Sequence, residues 1–409
     1  MSGYSLPPVP RPDHVPEALV VDFDLYDLPG LQDDPQLAMR AFQQSAPDIF
    51  WTPRNGGHWV ATRAEDIDVM QKDHVRFSHH NVVLPKKPDD APRELPLEVD
   101  PPRHTALRRP LTMALLPKVV SKLEASVRSL TVSLIEGFRD KGACEFVSEF
   151  AQILPISVFL DLVELPREDR HHLLPIVENS VRARDPDVRQ GAQEAIYRYI
   201  GDTVRERRAK PGEDLLSRLI NVEVDGGKIS EAEAISYATL VLFGGLDTVA
   251  GMLAFVARFL ALHPEQRRDL AGNVGNEAFL RNAIEELLRR HGLANTVREI
   301  TADMEYKGVR FRKGEVILPP NMLYGLDERK VDDPLKVDFR RRAPIRHAIF
   351  GQGPHTCPGA VLARRELKIF LEEWLPRIPD FAITPGKRVR VESGLVFGVL
   401  ELHLCWPTS

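Results

Sequence analysis

The chain has 409 residues, 43% of them hydrophobic and 28% charged, and a formal net charge of −5. This length supports a large buried core, and the slightly acidic balance gives no reason to expect nucleic-acid binding. Three cysteines are too few for a disulfide framework and favour a reducing compartment. The sequence shows no signal-peptide pattern, linker, repeat or run of roughly 20 apolar residues. We therefore expect a monomeric, cytoplasmic protein with no membrane segment, folded as a single domain over residues 1–409.

Hydrophobic patterning predicts a mainly α fold with small β-sheets, an α+β class. Alternating residues predict a first strand at 58–62. Apolar residues at three- and four-residue spacing then predict helices at 115–138, 192–209, 235–262, 279–290 and 361–375. Further alternation predicts strands at 304–311 and 389–404, the second interrupted by Ser393-Gly394.

The segment 235–262 is expected to be a long central helix. Ser230 and Glu233 fit a capping box, so the helix should begin near Glu231. His263 precedes a proline and disfavours helical geometry, which ends the run there. A helix of about 32 residues would be ~48 Å long, enough to cross a whole domain.

The middle of this helix carries Gly244-Gly245-Leu246-Asp247-Thr248. Two glycines inside a helix cost roughly 1 kcal/mol each relative to alanine, so something should compensate. Either the helix packs closely against a neighbour here, or the glycines leave room for a ligand. Thr248 can hydrogen-bond the carbonyl four residues earlier, at Gly244, and widen the helix locally.

A glycine-rich loop surrounds one cysteine near the C-terminus, in the run Phe350-Gly-Gln-Gly-Pro-His-Thr-Cys357-Pro-Gly359. The loop and the helix after it should point N–H groups at the sulfur and favour its thiolate. Such a cysteinate is suited to be an axial ligand of haem iron. A lone cysteine is more often a buried small hydrophobe, which we expect of Cys144 and Cys405. Zinc is poorly supported, since no second cysteine or histidine cluster lies near at ligand spacing.

The spacing Phe-x-x-Gly-x-x-x-Cys-x-Gly resembles the haem-ligand loop of the cytochrome P-450 superfamily. The pattern of elements resembles that fold over essentially the whole length, and Gly-Gly-Leu-Asp-Thr is similar to the form in the bacterial camphor hydroxylase. The resemblance implies haem b with Cys357 as the axial thiolate and metal ligand. It also implies that Thr248 and Asp247 are the catalytic alcohol and acid of a proton relay. Three further residues are implied to contact the haem, namely Gly244, Phe350 and Gly359.

Other residues are implied, by the same resemblance, to hold the porphyrin. Glu286 and Arg289 match the family's structural Glu-x-x-Arg pair, which Arg341 should join. Taken alone, that pair would be an ordinary surface contact worth ~0.2–0.5 kcal/mol. The propionate partners implied are His104, Arg108, Arg298 and His355. A buried Asp247 needs a partner of its own, for which Arg182 or Arg184 is plausible.

The resemblance to the camphor-hydroxylase branch, taken position by position, implies a substrate pocket. Its residues would be Leu240, Phe243, Gly244, Leu293, Ala294, Leu395 and Val396. These residues are apolar, so the substrate should be a small hydrophobic molecule, although each could equally be ordinary core. The camphor enzyme uses a tyrosine some eight residues before its Asp-Pro-Pro run. Here residues 82–99 contain no aromatic residue, and the equivalent place is near Pro92. We therefore expect a terpenoid or norisoprenoid-sized ring compound rather than camphor.

The chain has no nicotinamide or flavin fingerprint and no iron–sulfur cysteine cluster, so electrons must come from another protein. The resemblance implies a [2Fe-2S]-type ferredoxin and its flavoprotein reductase, supplied by NAD(P)H. The expected docking patch is basic, made of Arg108, Arg109, Lys118, Arg364 and Arg365. The expected function is a monooxygenase that inserts one oxygen atom of O2. Alternatives are a non-catalytic haem-thiolate sensor, which needs no proton relay, and a peroxide-driven haem enzyme, which usually lacks the acid–alcohol pair.

Overall fold

The structure, a computed structural model, describes residues 6–91, 93–182 and 186–408. Helices dominate it. In chain order they are α1 Pro35–Ser45, α2 Ala64–Lys72, α3 Arg103–Ala114, α4 Pro117–Arg139, α5 Ile153–Leu162, α6 Arg170–Arg182, α7 Pro186–Ala209, α8 Leu215–Ile220, α9 Glu231–Leu262, α10 Pro264–Asn273, α11 Glu277–Arg290, α12 Asn321–Tyr324 and α13 Ala360–Arg377. The mainly helical class predicted from patterning is confirmed.

The strands are short and form small sheets at the edges of the helical body. In chain order they are β1 Ile49–Thr52, β2 His58–Ala61, β3 Phe77–Ser78, β4 Ala143–Glu145, β5 Glu223–Val224, β6 Gly227–Lys228, β7 Arg298–Ile300, β8 Met304–Tyr306, β9 Val309–Phe311, β10 Val316–Leu318, β11 Ala382–Ile383, β12 Arg390–Glu392, β13 Gly398–Glu401 and β14 His403–Cys405. The largest sheet has the order β1-β2-β10-β7-β3, with β10 parallel to β2 and the other pairs antiparallel.

Helix α9 begins and ends where its sequence predicts. Ser230 accepts the backbone N–H of Glu233, and the Glu233 carboxylate accepts the N–H of Ser230, which completes the capping box. The helix runs for 32 residues and is followed at once by α10, whose first residue is Pro264. Within the described residues, α9 alone is long and apolar enough to cross a membrane, and 61% of its most apolar window is buried inside the protein. A buried core helix meets the same criteria.

Two hydrophobic cores meet on α9. The first half of the helix, as far as Leu246, packs with α3, α5, α6, α7 and α8. The second half, from Val249, packs with α1, α11 and α13. Asp247 and Thr248 lie at the seam between the two cores. Leu362 in the first turn of α13 packs against both, so the start of α13 lies at the same seam. The fold therefore brings the loop before α13 and the middle of α9 to one boundary.

Candidate functional site

The loop before α13 is a tight cradle around Cys357. The backbone N–H of Cys357 donates to the carbonyl of Phe350 (2.6 Å), and this bond closes the loop. Gly351 and Gly353 have φ of 69° and 70°, a conformation that favours glycine. A Cβ at Gly353 would also lie 2.8 Å from the carbonyl oxygen of Gln71 on α2. The loop therefore requires glycine at Gly353, one of the two glycine positions of the motif, and favours it at Gly351.

The sulfur of Cys357 is surrounded by donors and cations. Burial raises the pKa of the thiol, and the backbone N–H of Gly359, the guanidinium groups of Arg108 and Arg364 and the N–H of Ala360 oppose that rise. A Cβ on Gly359 would lie 3.7 Å from the sulfur, so its backbone passes close. Bonding to a metal ion deprotonates a thiol outright. A partly buried sulfur with N–H donors already in place fits a metal ligand.

The centre of α9 borders open space. The Thr248 hydroxyl donates to the carbonyl of Gly244 (2.8 Å), the i−4 bond that its position predicts. Gly244 is exposed although most of the helix around it is buried. A Cβ at Gly244 or Gly245 would meet no atom within 4 Å. Close helix packing therefore does not explain these two glycines. The open space beside them agrees with the alternative, that they leave room for a ligand.

A group of buried cationic and imidazole side chains lies beside the loop. The rings of His104 and His355 are 3.9 Å apart between centroids. Both ring nitrogens of each, and Nε of Arg298, have no hydrogen-bond partner among the described residues. Burial lowers the pKa of His104 to about 4, that of His355 to about 2 and that of Arg298 to about 9. Unsatisfied buried donors of this kind fit a pair of carboxylates such as the haem propionates.

Sequence reasoning missed His79, which joins this group. Its ring stacks on His355 at 3.4 Å between centroids, and its Nδ1 lies 3.9 Å from Asp100 Oδ1 but has no hydrogen-bond partner in the described part of the chain. Its backbone N–H donates to Asp100 (3.1 Å), the first residue of the Asp-Pro-Pro run. Ligand atoms of His79, Asp100 and His355 lie within 4.8 Å of one another, so a small cation is the alternative occupant. The adjacent guanidinium of Arg298 disfavours a cation. His79 was not predictable from the sequence, because the contact with Asp100 that identifies it forms only in the folded protein.

The fourth implied propionate partner, Arg108, turns toward the cysteine loop. Its Nη2 donates to the carbonyl of Thr356, next to the ligand cysteine, and burial lowers its pKa while Cys357 opposes that shift. Arg108 therefore lies within reach of both the sulfur and the imidazole group, since its charge also lowers the pKa of His104 and His355.

Glu286, Arg289 and Arg341 form a buried network. Arg289 donates to both oxygens of Glu286, each at 2.8 Å, and Arg341 Nε donates to the same oxygens at 3.1 and 3.0 Å. The side chains of Glu286 and Arg289 are fully buried. Both arginines also donate to backbone carbonyls of the segment 325–336. The network therefore ties α11 to the segment that precedes the cysteine loop.

The implied pocket residues fall into two groups. Leu293 and Asn295 pair with Phe397 and Leu395 by backbone bonds of 2.8 and 2.7 Å, and Ala294 forms an isolated bridge with Val396. This pair of extended segments touches α9, since a Cβ on Gly251 would lie 3.5 Å from Leu293 and 3.3 Å from the Phe397 carbonyl. The second group is Leu240, Phe243 and Gly244, which stay partly or fully exposed on α9. Arg184, the side chain of Arg182 and Pro92 lie outside the described residues.

The five cations of the expected basic docking patch differ in their contacts within the protein. Arg364 pairs with Glu285, Arg365 pairs with Glu124, and Arg108 faces the cysteine loop. Arg109 and Lys118 form no ion pair with any described residue. Two of the five cations are therefore paired with carboxylates of the protein and a third donates to a backbone carbonyl, and the docking patch stays a prediction. Exposed Met113 and Leu116 lie between the two that remain.

Comparison with known proteins agrees with this geometry. A family model described as Cytochrome P450 matches residues 169–378. The chain is 33% identical over 406 residues to a Sinorhizobium fredii protein described as probable cytochrome P450 127A1, covering 97% of each chain. The solved structure of CYP101J2 is similar, with a TM-score of 0.88 and 38% identity over 98% of this chain and 100% of that one. CYP101C1 has a TM-score of 0.88 and 37% identity over 97% of this chain and 100% of that one. The chain belongs to the cytochrome P450 family of haem-thiolate monooxygenases.

Proposed function

We propose that this monooxygenase inserts one oxygen atom of O2 into a small hydrophobic, terpenoid- or norisoprenoid-like substrate. Cys357 is the proposed axial ligand of haem b, and NAD(P)H is the electron source through a [2Fe-2S]-type ferredoxin and its flavoprotein reductase. The observation that carries the proposal is the partly buried Cys357 sulfur, toward which the N–H groups of Gly359 and Ala360 point. Haem bound through a cysteine thiolate supplies the O–O cleavage. We place the protein in the cytoplasm as a single-domain monomer.

The residues that would hold the porphyrin are those with unsatisfied donors. His104, His355 and Arg298 would donate to the propionates, and His79 would support His355 through its stacked ring. Anionic carboxylates would restore the charged forms that burial disfavours, because an opposite charge nearby favours ionisation. Arg108 would be the fourth cationic partner of the propionates, while Phe350 and Gly359 would contact the haem from the cysteine loop.

Thr248 and Asp247 are the proposed proton-handling groups. At rest the Thr248 hydroxyl donates to Gly244, which leaves its oxygen lone pairs free to accept. A proton held at that oxygen would lie beside the gap that the two glycines leave. Asp247, one residue earlier and partly exposed, would pass protons in from solvent. A non-catalytic sensor would need neither group.

Substrate orientation would depend on shape. Leu293, Ala294, Leu395 and Val396 would form one apolar wall of the proposed pocket, and Phe243 on α9 would form another. Burial of hydrocarbon against such walls contributes roughly 25 cal/mol per Å². Because the segment 82–99 has no tyrosine, no phenol hydroxyl from it can fix a ketone. Strong spin-state shifts with cyclic terpenoids, and a weak one with camphor, would support this substrate class; a strong shift with camphor alone would contradict it.

The axial ligand of the iron and the source of electrons are tested in separate experiments. A ferrous carbon monoxide difference spectrum of the purified protein should show the Soret position of thiolate ligation, and Cys357→His should lose it. An imidazole-type Soret band in the unmodified protein would remove the proposal. Product formation is then compared with ferredoxin, reductase and NADH against hydrogen peroxide alone. Turnover with peroxide only would favour the peroxide-driven alternative.

A further inference from the structure

Arg364, near the start of α13, contacts the cysteine loop. Its guanidinium carbon is 4.5 Å from the ring centroid of Phe350, within cation–π range. Phe350 is also the residue whose carbonyl accepts the Cys357 N–H. Nη1 of Arg364 also donates to the carbonyl of Ala360 (3.3 Å), three residues after Cys357. A single cation therefore contacts the chain on both sides of Cys357.

Glu285 on α11 fixes that cation in place. Its two oxygens accept Nε and Nη2 of Arg364 at 2.5 and 3.0 Å, a two-point pairing that fixes the guanidinium plane. One of these oxygens also pairs with Nε2 of His347 (2.9 Å). Burial raises the pKa of Glu285, but His347 and Arg364 outweigh it and lower the pKa to about 2. Glu285 is therefore charged at neutral pH.

Adjacent carboxylates of α11 thus serve different partners. Glu286 holds the buried Arg289–Arg341 network, whereas Glu285 reaches the cysteine loop through Arg364. The neighbour of Arg364 points elsewhere, since Arg365 pairs with Glu124 on α4. Only the first of the two consecutive arginines is coupled to Phe350.

We propose that Arg364, positioned by Glu285 and stacked on Phe350, sets the reduction potential of the iron bound at Cys357. One-electron reduction adds negative charge at the iron, so a fixed cation near the sulfur favours it and a carboxylate opposes it. Arg364 is a positioning residue in this role, because it acts through the loop and not on the substrate. The inference rests on the proposed function, since it requires Cys357 to ligate haem iron.

The test is a spectroelectrochemical titration of the haem-loaded, full-length protein and its variants without ferredoxin. Arg364→Leu should lower the midpoint potential, and Glu285→Gln should raise it, because the first removes a cation and the second a carboxylate. The double variant should return toward the unmodified value, and Arg364→Lys should restore part of the loss. A change of at least about threefold in the equilibrium constant for reduction, ~28 mV for one electron, is expected in each single variant. Arg365→Leu is the matched control and should leave the potential unchanged.

Every outcome is informative because the ferrous carbon monoxide spectrum is recorded on each variant. If the unmodified protein shows no thiolate spectrum, the proposed function itself fails. If all variants keep that spectrum and their potentials agree, the inference is overturned. Shifts of the same sign in Arg364→Leu and Glu285→Gln would indicate general loosening of the loop and overturn it too. A raised KM for ferredoxin in Arg364→Leu with an unchanged potential would make Arg364 a docking residue instead.

Discussion

The hydroxyl of Thr248, at the seam of the two cores, has a central role in the proposed proton delivery. Its bond to Gly244 is local, four residues back on the same helix, and was predictable from the sequence for that reason. The loop around Cys357 was predictable on the same grounds, since its glycine positions are set by local backbone geometry. His79 and Glu285 were not, because their partners are distant in sequence.

Replacing Thr248 with alanine should separate electron use from product formation. Haem and substrate binding should be unchanged, since the side chain is small and partly exposed. Without the hydroxyl, protons are delivered poorly, and most NADH electrons should appear as hydrogen peroxide. The measurement is the ratio of product to NADH consumed, with peroxide assayed in parallel. Thr239→Ala on the same helix is the control and should stay coupled. Tight coupling in Thr248→Ala would remove the relay role.

Glu366 on α13 should make the fold less stable at alkaline pH. It is 1% exposed, its Oε2 has no partner among the described residues, and burial raises its pKa from 4.5 to about 8. Between these values the folded state binds more protons than the unfolded state, so the free energy of unfolding falls as pH rises from about 4.5 to 8. Glu366→Gln should therefore raise the melting temperature at roughly pH 9, above that window, and leave it nearly unchanged at roughly pH 5, near the lower end of the window. An equal effect at both pH values would contradict the assignment.

At the scale of elements, the predictions that proved correct rest on local sequence signals. Helix α9 was predicted with correct ends because a capping box and a proline mark them. The strand expected at 304–311 is instead the hairpin β8–β9, turned at Lys307 and Gly308 with φ of 51° and 78°. Helix α5 was not predicted, since it is buried nearly all round and has no polar face to give a period.

Helix α11 offers a direct comparison of buried and exposed ion pairs. Arg341→Ala removes one partner of the fully buried Glu286, which should cost about 3 kcal/mol, the lower end for a broken buried pair because Arg289 remains. Arg340→Ala, its neighbour, breaks an exposed pair with Asp269 and should cost no more than about 1 kcal/mol. Denaturant unfolding of both variants measures the difference. Similar losses would contradict the structural role assigned to Arg341.

At the scale of the whole molecule, the haem should act as part of the core. The proposed socket lies where two hydrophobic cores meet, with unsatisfied donors of His104, His355 and Arg298 on its rim. A ligand that binds only the folded state stabilises it, so haem removal should lower the melting temperature. Amide exchange should accelerate most around residues 243–248 and 350–360, while β1 and β2 stay protected. Unchanged exchange at those segments would contradict the placement of the socket.

The family and overall architecture were predictable because their signals span the chain, whereas the substrate depends on tertiary detail. Ala294 and Val396, which belong to the proposed pocket, form an isolated bridge between segments roughly 100 residues apart, and no periodicity marks it. The pairing of Arg364 with Glu285 and of Arg365 with Glu124 was likewise not predictable, because the partners are distant in sequence.

The sharing of α9 by both cores has a consequence for cooperativity. Residues as far as Leu246 belong to one core and residues from Val249 to the other, on one uninterrupted helix. Neither half can lose its packing without unwinding a helix that the other half needs, so melting should be all-or-none despite the length of the chain. Calorimetric and van't Hoff enthalpies should therefore agree, and two resolved transitions would show that the halves unfold separately.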